Sequence, residues 1–313
     1  MTVLDRRLVP ARADLAAAHL AGEVDATRFV QAHEMRVIAP AAPLRRAPGN
    51  TAMLDTEALF GESVDVYELS GDFAWGQLRT DHYVGYLPRS SLAEPAGSPT
   101  HRVAALRSFA YPGPSIKLPP LHLLSMGSLV EAKGEDGPFL ATADGLYLWA
   151  GHLTPVDSFA QDFVAVAERF VGTPYLWGGR TSLGLDCSGL VQLAMGAAGL
   201  PCPRDSDMQE TLGEPVEAGE GLAGLRRGDR VHWKGHVGIM LDGERLLHAN
   251  GFHMQVEIES LAEALERIAR AGAGPITAIR RGPPRAAAES IATRPRGSQP
   301  ACRPARRRHR PRA

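Results

Sequence analysis

The sequence predicts an α+β protein in which two small β-barrels precede a mixed C-terminal domain. Short strand-like runs of about five residues, separated by turn residues, fill positions 35–97. A weaker series of the same kind occupies 98–157, and helical periodicity first becomes regular after Ser158. Over 158–281 the predicted order is two helices, antiparallel strands, a helix and a strand, which is typical of an α+β domain.

The composition is that of a folded chain with a basic C-terminal segment. Its 313 residues suffice for two or three domains, and the 44% hydrophobic content excludes wholesale disorder. The formal net charge is −1, but residues 282–313 carry nine Arg and one Glu, so that residues 1–281 are acidic. Because the segment 282–313 has almost no large apolar residue, we expect it to be a disordered tail.

The cysteines and the N-terminus indicate a reducing compartment. Three cysteines (Cys187, Cys202 and Cys302) are too few for a disulfide framework, so we expect reduced thiols. The N-terminus lacks the pattern of a signal peptide, and no stretch approaches the ~20 apolar residues of a membrane span. These features predict a cytoplasmic protein that has no membrane partner.

The first 34 residues predict an extension that packs on a neighbouring domain, with a short helix around Leu15–Leu20. The first β-barrel is predicted over 35–97, and a degenerate second copy over 98–157. The strands predicted for the first copy are 35–40, 41–50, 61–69, 73–79 and 83–92, and those for the second are 101–109, 128–133, 138–143 and 145–151.

The C-terminal domain is predicted over 158–281. A capping box at Ser158 indicates its first helix, a second helix begins at Cys187, and a second capping box at Ser260 starts a third. The strands predicted between and after these helices are 229–233, 236–241, 245–250 and 275–281.

Cys187 is the candidate nucleophile. It lies on the first turn of a predicted helix with Asp186 as the N-cap, where backbone N–H groups and the helix dipole favour an anion. This position is expected to lower the thiol pKa and to raise the thiolate fraction. Since free cysteines are often simply buried, that alternative stays open for Cys187 considered alone.

Two histidines can complete a catalytic set with Cys187. His236 opens an apolar strand between two glycines, which leave its imidazole room to approach another element. His248 follows twelve residues later on the next strand, after a hairpin, and can orient the first ring. Each residue is weak support by itself, and the three in this order are much stronger.

The pair His232 and His236 has the spacing of zinc ligands on a helix. The segment around the pair alternates like a strand, however, and the sequence contains no Cys-x-x-Cys. We therefore expect neither a metal ion nor a cofactor.

Motifs in one order resemble those of the NlpC/P60 cysteine peptidases, which have a papain-like fold and a Cys–His–polar triad. They are T-P-Y-L-W-G-G (173–179), L-D-C-S-G-L-V (185–191), R-R-G-D (226–229) and G-H-V-G-I (235–239).

This resemblance implies a role for each matching residue. Cys187 is then the nucleophile, His236 the base and His248 the third, orienting member of the triad. Tyr175 is expected to point its hydroxyl into the site beside the oxyanion position, and the backbone N–H of Cys187 to supply a second oxyanion donor.

The region before the catalytic domain resembles two bacterial SH3-type domains, the second degenerate. That arrangement is known from γ-D-glutamyl-L-diamino acid endopeptidases, which act on murein peptides with a free N-terminal L-Ala. The resemblance implies that Asp186 holds the free ammonium, although plain helix capping is an equal alternative. Ser206 is implied to bind the D-Glu carboxylate and Glu62 and Tyr86 to complete the amine pocket, and Ser188 is a further substrate-binding candidate.

The expected function is therefore a cysteine endopeptidase of murein peptide recycling. A general cell-wall hydrolase, an acyltransferase or amidase that uses the same thiolate, and a wall-fragment-binding protein remain alternatives. The intact Cys, His, His set favours an enzyme. We expect a murein peptide as the partner and no nucleic acid, since the basic tail has no aromatic residues to stack on bases.

Overall fold

The computed structural model describes residues 4–282, except for 96, 218, 220, 221 and 273. Nearly all of the predicted Arg/Pro-rich tail (282–313) lies outside the described residues. Within the described part of the chain, no helix has both the length and the apolar character needed to cross a bilayer.

The N-terminal extension packs on the first β-rich domain, as predicted, but without the expected helix. Two short parallel strands, β1 (Ala16–Ala17) and β2 (Phe29–Val30), pair with each other, and only a 3₁₀ turn lies between them. The backbone N–H of Ala17 donates to the carbonyl of Pro10, so it is not available for a hydrogen bond within a helix. Leu15 is fully buried and packs with Trp75 of the next domain.

The first β-rich domain is one antiparallel sheet of seven strands, in the order β5-β4-β8-β7-β6-β3-β9. It contains the predicted strands and one, β5, that was not predicted because its Asp, Thr and Glu residues hide the strand pattern. Its strands are β3 (His33–Val37), β4 (Ala41–Arg45), β5 (Leu54–Leu59), β6 (Ser63–Ser70), β7 (Phe73–Leu78), β8 (Val84–Pro88) and β9 (Leu92–Ala93).

This sheet is open, whereas a small β-barrel was predicted. Its edge strands β5 and β9 do not pair with each other among the described residues. The edge strand β5 instead meets the C-terminal domain, where Thr56 and Glu57 accept hydrogen bonds from Arg204 and Arg180. Contact with another domain thus replaces closure as the way of covering this edge.

The second β-rich region forms two antiparallel sheets, in the orders β13-β10-β17 and β12-β11-β16-β15-β14, and no closed second barrel is found in the described residues. Phe60 of the first domain packs into its core, so the two regions share apolar contacts. The strands are β10 (His101–Val103), β11 (Arg107–Tyr111), β12 (His122–Ser125), β13 (Leu129–Val130), β14 (Ala132–Asp136), β15 (Phe139–Thr142), β16 (Tyr147–Trp149) and β17 (Leu153–Pro155).

The C-terminal domain is α+β, as predicted, with a six-stranded sheet in the order β20-β25-β21-β22-β23-β24. Its helices are α1 (Phe163–Glu168), α2 (Cys187–Ala197), α3 (Ser206–Gln209) and α4 (Leu261–Arg270). Its strands are β18 (Arg180–Thr181), β19 (Gly184–Leu185), β20 (Glu214–Pro215), β21 (Asp229–Trp233), β22 (His236–Met240), β23 (Arg245–Asn250), β24 (Gln255–Ser260) and β25 (Ala278–Arg281).

Helix starts were predicted with mixed success. The start of α2 at Cys187 is confirmed. Helix α1 begins at Phe163 rather than near Ser158, because Asp162 caps it by accepting the N–H of Val164 at 2.9 Å. Ser260 is the N-cap residue of α4, as predicted, but its side chain makes no capping hydrogen bond.

Candidate active site

Cys187 lies at the N-terminus of α2 and against the start of β22. Asp186 caps this helix by accepting the N–H of Gly189 at 2.8 Å. The backbone N–H groups of Val237 and Ser188 lie in contact with the Cys187 sulfur and oppose part of the rise in its pKa that burial causes. Because Val237 directly follows His236, this contact brings the sulfur next to the first residue of β22.

The two predicted histidines form a hydrogen-bonded pair. Nε2 of His236 lies 2.8 Å from Nδ1 of His248, and the ring centroids are 5.0 Å apart. The register of β22 and β23, in which Ile239 faces Leu247, explains this contact. Continued along both strands, it makes the two histidines diagonal neighbours on one face of the sheet. The structure therefore brings Cys187, His236 and His248 together.

The protonation states of the site differ from the expectation. Burial, and next the Asp186 charge, raise the pKa of Cys187 to about 12, although a lowered value was predicted from its helix position. Burial, and next the neighbouring His248, lower the pKa of His236 to about 3. Both shifts favour a neutral thiol and a neutral imidazole in the resting site. The proton must then leave the sulfur as attack begins.

Tyr175 lies close to Cys187 and Asp186. Burial raises the pKa of the Tyr175 phenol, and a negative charge on Cys187 or Asp186 raises it further. The backbone of Tyr175 is fixed by a hydrogen bond from its N–H to Met254. Its hydroxyl therefore stays protonated and can donate a hydrogen bond within the site.

Arg204 was not singled out from the sequence. Its side chain hydrogen-bonds to two of the predicted substrate-binding residues, Asp186 and Ser188. Its guanidinium binds both carboxylate oxygens of Asp186, at 2.9 and 2.8 Å, and the hydroxyl of Ser188 at 2.8 Å. The Asp186 carboxylate also accepts the N–H groups of Gly178 and Gly189. Its lone pairs are thus used by protein donors, which favours the capping role of Asp186 over the predicted ammonium site. The hydroxyl of Ser188 is likewise engaged within the protein.

Glu62 and Tyr86 are also engaged elsewhere, contrary to the prediction of an amine pocket. Glu62 is 3% exposed and forms a two-pronged ion pair with Arg180, at 2.9 and 2.8 Å. The hydroxyl of Tyr86 accepts a hydrogen bond from Arg12 of the N-terminal extension at 3.0 Å. Both side chains thus hold the domains and the extension together, which argues against the predicted amine pocket.

Ser206 opens the short helix α3 and is half-buried between two acidic residues. The hydroxyl of Tyr83 donates to Asp205 at 3.0 Å, and Arg7 binds Asp205 at 2.8 Å and Asp207 at 2.7 Å. Burial raises the pKa of Asp205. This acidic group follows Arg204 in sequence and so lies near the cap of α2. Of these residues, only Ser206 had been singled out from the sequence.

The described residues contain no group of three or more His, Cys, Asp or Glu side chains arranged to hold a metal ion. His232 and His236 lie on adjacent strands of a hairpin, where Trp233 pairs with His236, and not on a helix. His232 is fully buried between its neighbouring strands.

Family models match two parts of the chain. The model of the NlpC/P60 family matches residues 172–268, which include Cys187, His236 and His248. A model described as the bacterial dipeptidyl-peptidase Sh3 domain matches residues 44–92. This supports one SH3-type domain in the first β-rich region.

Similar proteins cover most of the chain. Dipeptidyl-peptidase 6 of Lysinibacillus sphaericus is 30% identical over 252 residues, which are 72% of this chain and 91% of that protein. A gamma-D-glutamyl-L-lysine dipeptidyl-peptidase of Bacillus cereus is 26% identical over 241 residues, 67% of this chain and 71% of that protein. The crystal structure of an NlpC/P60 family protein from Bacillus cereus has a TM-score of 0.66 at 21% identity. The superposition covers 80% of this chain and 99% of the Bacillus cereus chain, and it shows that the two proteins share the fold.

Proposed function

This chain belongs to the NlpC/P60 family, and on that premise we propose that it is a cysteine peptidase acting on murein peptides. The bond cleaved is the one between D-Glu, linked through its γ-carboxyl, and the following diamino acid, in peptides whose N-terminal L-Ala is free. The observation that carries the proposal is the assembly of Cys187, His236 and His248 at the junction of α2 and the sheet. The names of the similar dipeptidyl-peptidases support the choice of bond.

The hydrogen bonds of the histidine pair assign the proton acceptor. Nε2 of His236 is engaged by His248, so Nδ1 is the nitrogen left to take the proton of the Cys187 thiol. The sulfur attacks the γ-glutamyl carbonyl while this proton moves to Nδ1. The N–H of Cys187 and the hydroxyl of Tyr175 stabilise the resulting oxyanion.

The tetrahedral intermediate collapses to a thioester on Cys187. His236 returns the proton to the amine of the departing diamino acid, and then removes a proton from the water that attacks the thioester. Hydrolysis releases the L-Ala-D-Glu part and restores the thiol. No step requires a metal ion or a redox partner.

Recognition of a free amine requires an acidic group that is accessible to the substrate. Since Asp186 and Glu62 are each paired with a buried arginine, Asp205 is the better candidate. Its carboxylate is half-buried, receives the Tyr83 hydroxyl and is bound by Arg7 at the protein surface. An ammonium can compete with Arg7 for this carboxylate. Ser206, the next residue, remains the candidate for the D-Glu carboxylate.

The test is cleavage of L-Ala-γ-D-Glu-meso-diaminopimelate by the full-length protein. The N-acetylated peptide and intact peptidoglycan serve as rival substrates. Cys187→Ala is the inactive variant, and Cys202→Ala, which removes the other free thiol of the described residues, is the matched control.

Release of L-Ala-D-Glu from the free peptide alone, retained in Cys202→Ala and lost in Cys187→Ala, is the expected result. We place this activity in the recycling of murein peptides in the cytoplasm. Equal cleavage of the acetylated peptide or of peptidoglycan would point to a general wall hydrolase. The absence of turnover on all three would favour the acyltransferase or the binding protein.

A further inference from the structure

A carboxylate lies at the far end of the histidine pair. Oε1 of Glu259 is 2.6 Å from Nε2 of His248. In the pairing of β23 with β24, His248 faces Glu257, and Glu259 is therefore its diagonal neighbour on the same face. The side chain of His248 is fully buried and that of Glu259 is 11% exposed, so bulk water competes little for this bond.

A second group faces the same ring nitrogen. Nδ2 of Asn250 lies 3.0 Å from Nε2 of His248. The amide oxygen of Asn250 accepts the backbone N–H groups of Phe252 and His253, which directs the NH₂ group of Asn250 towards the ring. A nitrogen of a neutral imidazole either donates to a carboxylate or accepts from an amide. Glu259 and Asn250 therefore favour opposite tautomers of His248.

The carboxylate prevails in this competition. Arg267 of α4 forms an ion pair with the same oxygen, Oε1 of Glu259, and interactions with His248 and Arg267 lower the Glu259 pKa despite its burial. An ionised carboxylate at 2.6 Å requires a proton on Nε2 of His248, in a charge-assisted bond that is stronger than one between neutral groups.

The tautomer of His248 then fixes that of His236. With its proton on Nε2, His248 has a bare Nδ1, which accepts a hydrogen bond from Nε2 of His236 at 2.8 Å. His236 is left with a bare Nδ1. In the opposite tautomer, with Nε2 of His248 accepting from Asn250, the proton on Nδ1 of His248 would face Nε2 of His236. His236 would then carry its own proton on Nδ1.

We propose that Glu259 is a positioning residue that sets the tautomers of both histidines, so that His236 presents a bare Nδ1 to the thiol of Cys187. The inference rests on the proposed thiol chemistry of the site. It adds to the three predicted residues one carboxylate that acts through His248, and it assigns Arg267 to holding that carboxylate in place.

Two substitutions separate the hydrogen bond of Glu259 from its charge. Glu259→Leu removes the acceptor and leaves Asn250 as the neighbour of Nε2. Glu259→Gln removes the charge, while the donors of Arg267 keep the amide oxygen turned towards His248. The matched control is Glu257→Leu, on the same strand, whose carboxylate binds Gln255 and the N–H of Ile258.

The first measurement is the rate of Cys187 alkylation by iodoacetamide in the full chain, quantified by mass spectrometry of the Cys187 peptide. We expect Glu259→Leu to lower this rate by about 10- to 100-fold. This is the range found for activity when the hydrogen-bond partner of a metal-binding histidine is removed. Glu259→Gln should retain most of the alkylation rate, and Glu257→Leu should be alkylated as fast as the chain without substitutions.

The second measurement is the ¹⁵N NMR spectrum of the imidazoles, with signals assigned by single histidine substitutions. The expected protons are on Nε2 of both histidines in the unmodified chain and on Nδ1 of His248 in Glu259→Leu. Unchanged tautomers in Glu259→Leu would overturn the proposal even if alkylation slowed, since the role of Glu259 would then be structural. Neither measurement uses a peptide, so failure to cleave murein peptides would not be mistaken for failure of this inference.

Discussion

Replacing Arg204 with methionine is expected to cost about 3–5 kcal/mol of unfolding free energy, the range for a buried charge that loses its partner. The side chain of Arg204 is 1% exposed, and each of its N–H groups has an acceptor. The acceptors and their distances are Asp186 (2.9 and 2.8 Å), Ser188 (2.8 Å), Thr56 (2.8 Å) and Gly179 (3.2 Å). Methionine fills much of the same volume, so the loss comes from the unpaired groups rather than from a cavity.

The magnitude should lie near the lower end of this range. Asp186 keeps the N–H groups of Gly178 and Gly189, which offset part of the lost ion pair. Arg204→Lys keeps the charge but has three donors in place of five, and should fall between the methionine variant and the unmodified chain.

The assay is urea unfolding of the full chain, followed by circular dichroism and by tryptophan fluorescence. A single free energy is taken only where the two curves coincide. The control is Arg245→Met, because Arg245 forms an ion pair with Asp242 in which the side chains are 59% and 43% exposed. It should cost less than about 1 kcal/mol. An Arg204→Met variant as stable as Arg245→Met would refute the assignment of Arg204 as the centre of a buried polar network.

Further predictions concern the site and the dependence on pH. Tyr175→Phe should lower kcat about 100-fold with little change in KM, as for the loss of one oxyanion donor, whereas a change in KM alone would show that the hydroxyl acts in binding. Asp205→Asn should raise KM for the free peptide, and an unchanged KM would exclude Asp205 from amine recognition. Burial lowers the pKa of His232 from 6.5 to about 4, so folding stability should be full above pH 6.5 and decrease as the pH falls towards 4. Urea unfolding at pH 7.5 and pH 4.5 gives the unfolding free energy that is lost on acidification. This loss should be roughly 3 kcal/mol smaller in His232→Gln than in the unsubstituted chain, and equal losses in the two proteins would contradict this account.

The site was predictable where its signals are local. The start of α2 follows from a capping aspartate before an apolar helical pattern, and both features lie within a few residues of Cys187. The contact of His236 with His248 follows from the strand period and a short hairpin. Both features depend only on interactions between residues that are near each other in sequence.

The residues that were missed or misassigned depend on distant partners. Arg204 and Thr56 are 148 positions apart, and Arg180 and Glu62 are 118 positions apart. Nothing in the local sequence around Glu62 indicates which cation it will meet, so a carboxylate that joins two domains looks the same as one that binds substrate. Glu259 was missed for another reason, since β24 was not predicted and its alternate residues could not be placed beside His248.

The same arginines connect the first β-rich domain to the chemistry of the site. Arg204 binds Thr56 of β5 through Nε and the N-cap of α2 through both of its Nη atoms, so one guanidinium serves the domain contact and the helix that carries Cys187. Arg180, two residues after the Gly178 that donates to Asp186, is held by Glu62 of the first domain. Removing that domain would leave both guanidinium groups short of partners, and one of them, Arg204, lies at the cap of the helix that carries the nucleophile. The SH3-type domain is therefore part of the framework that positions Cys187, in addition to any contact that it makes with the substrate.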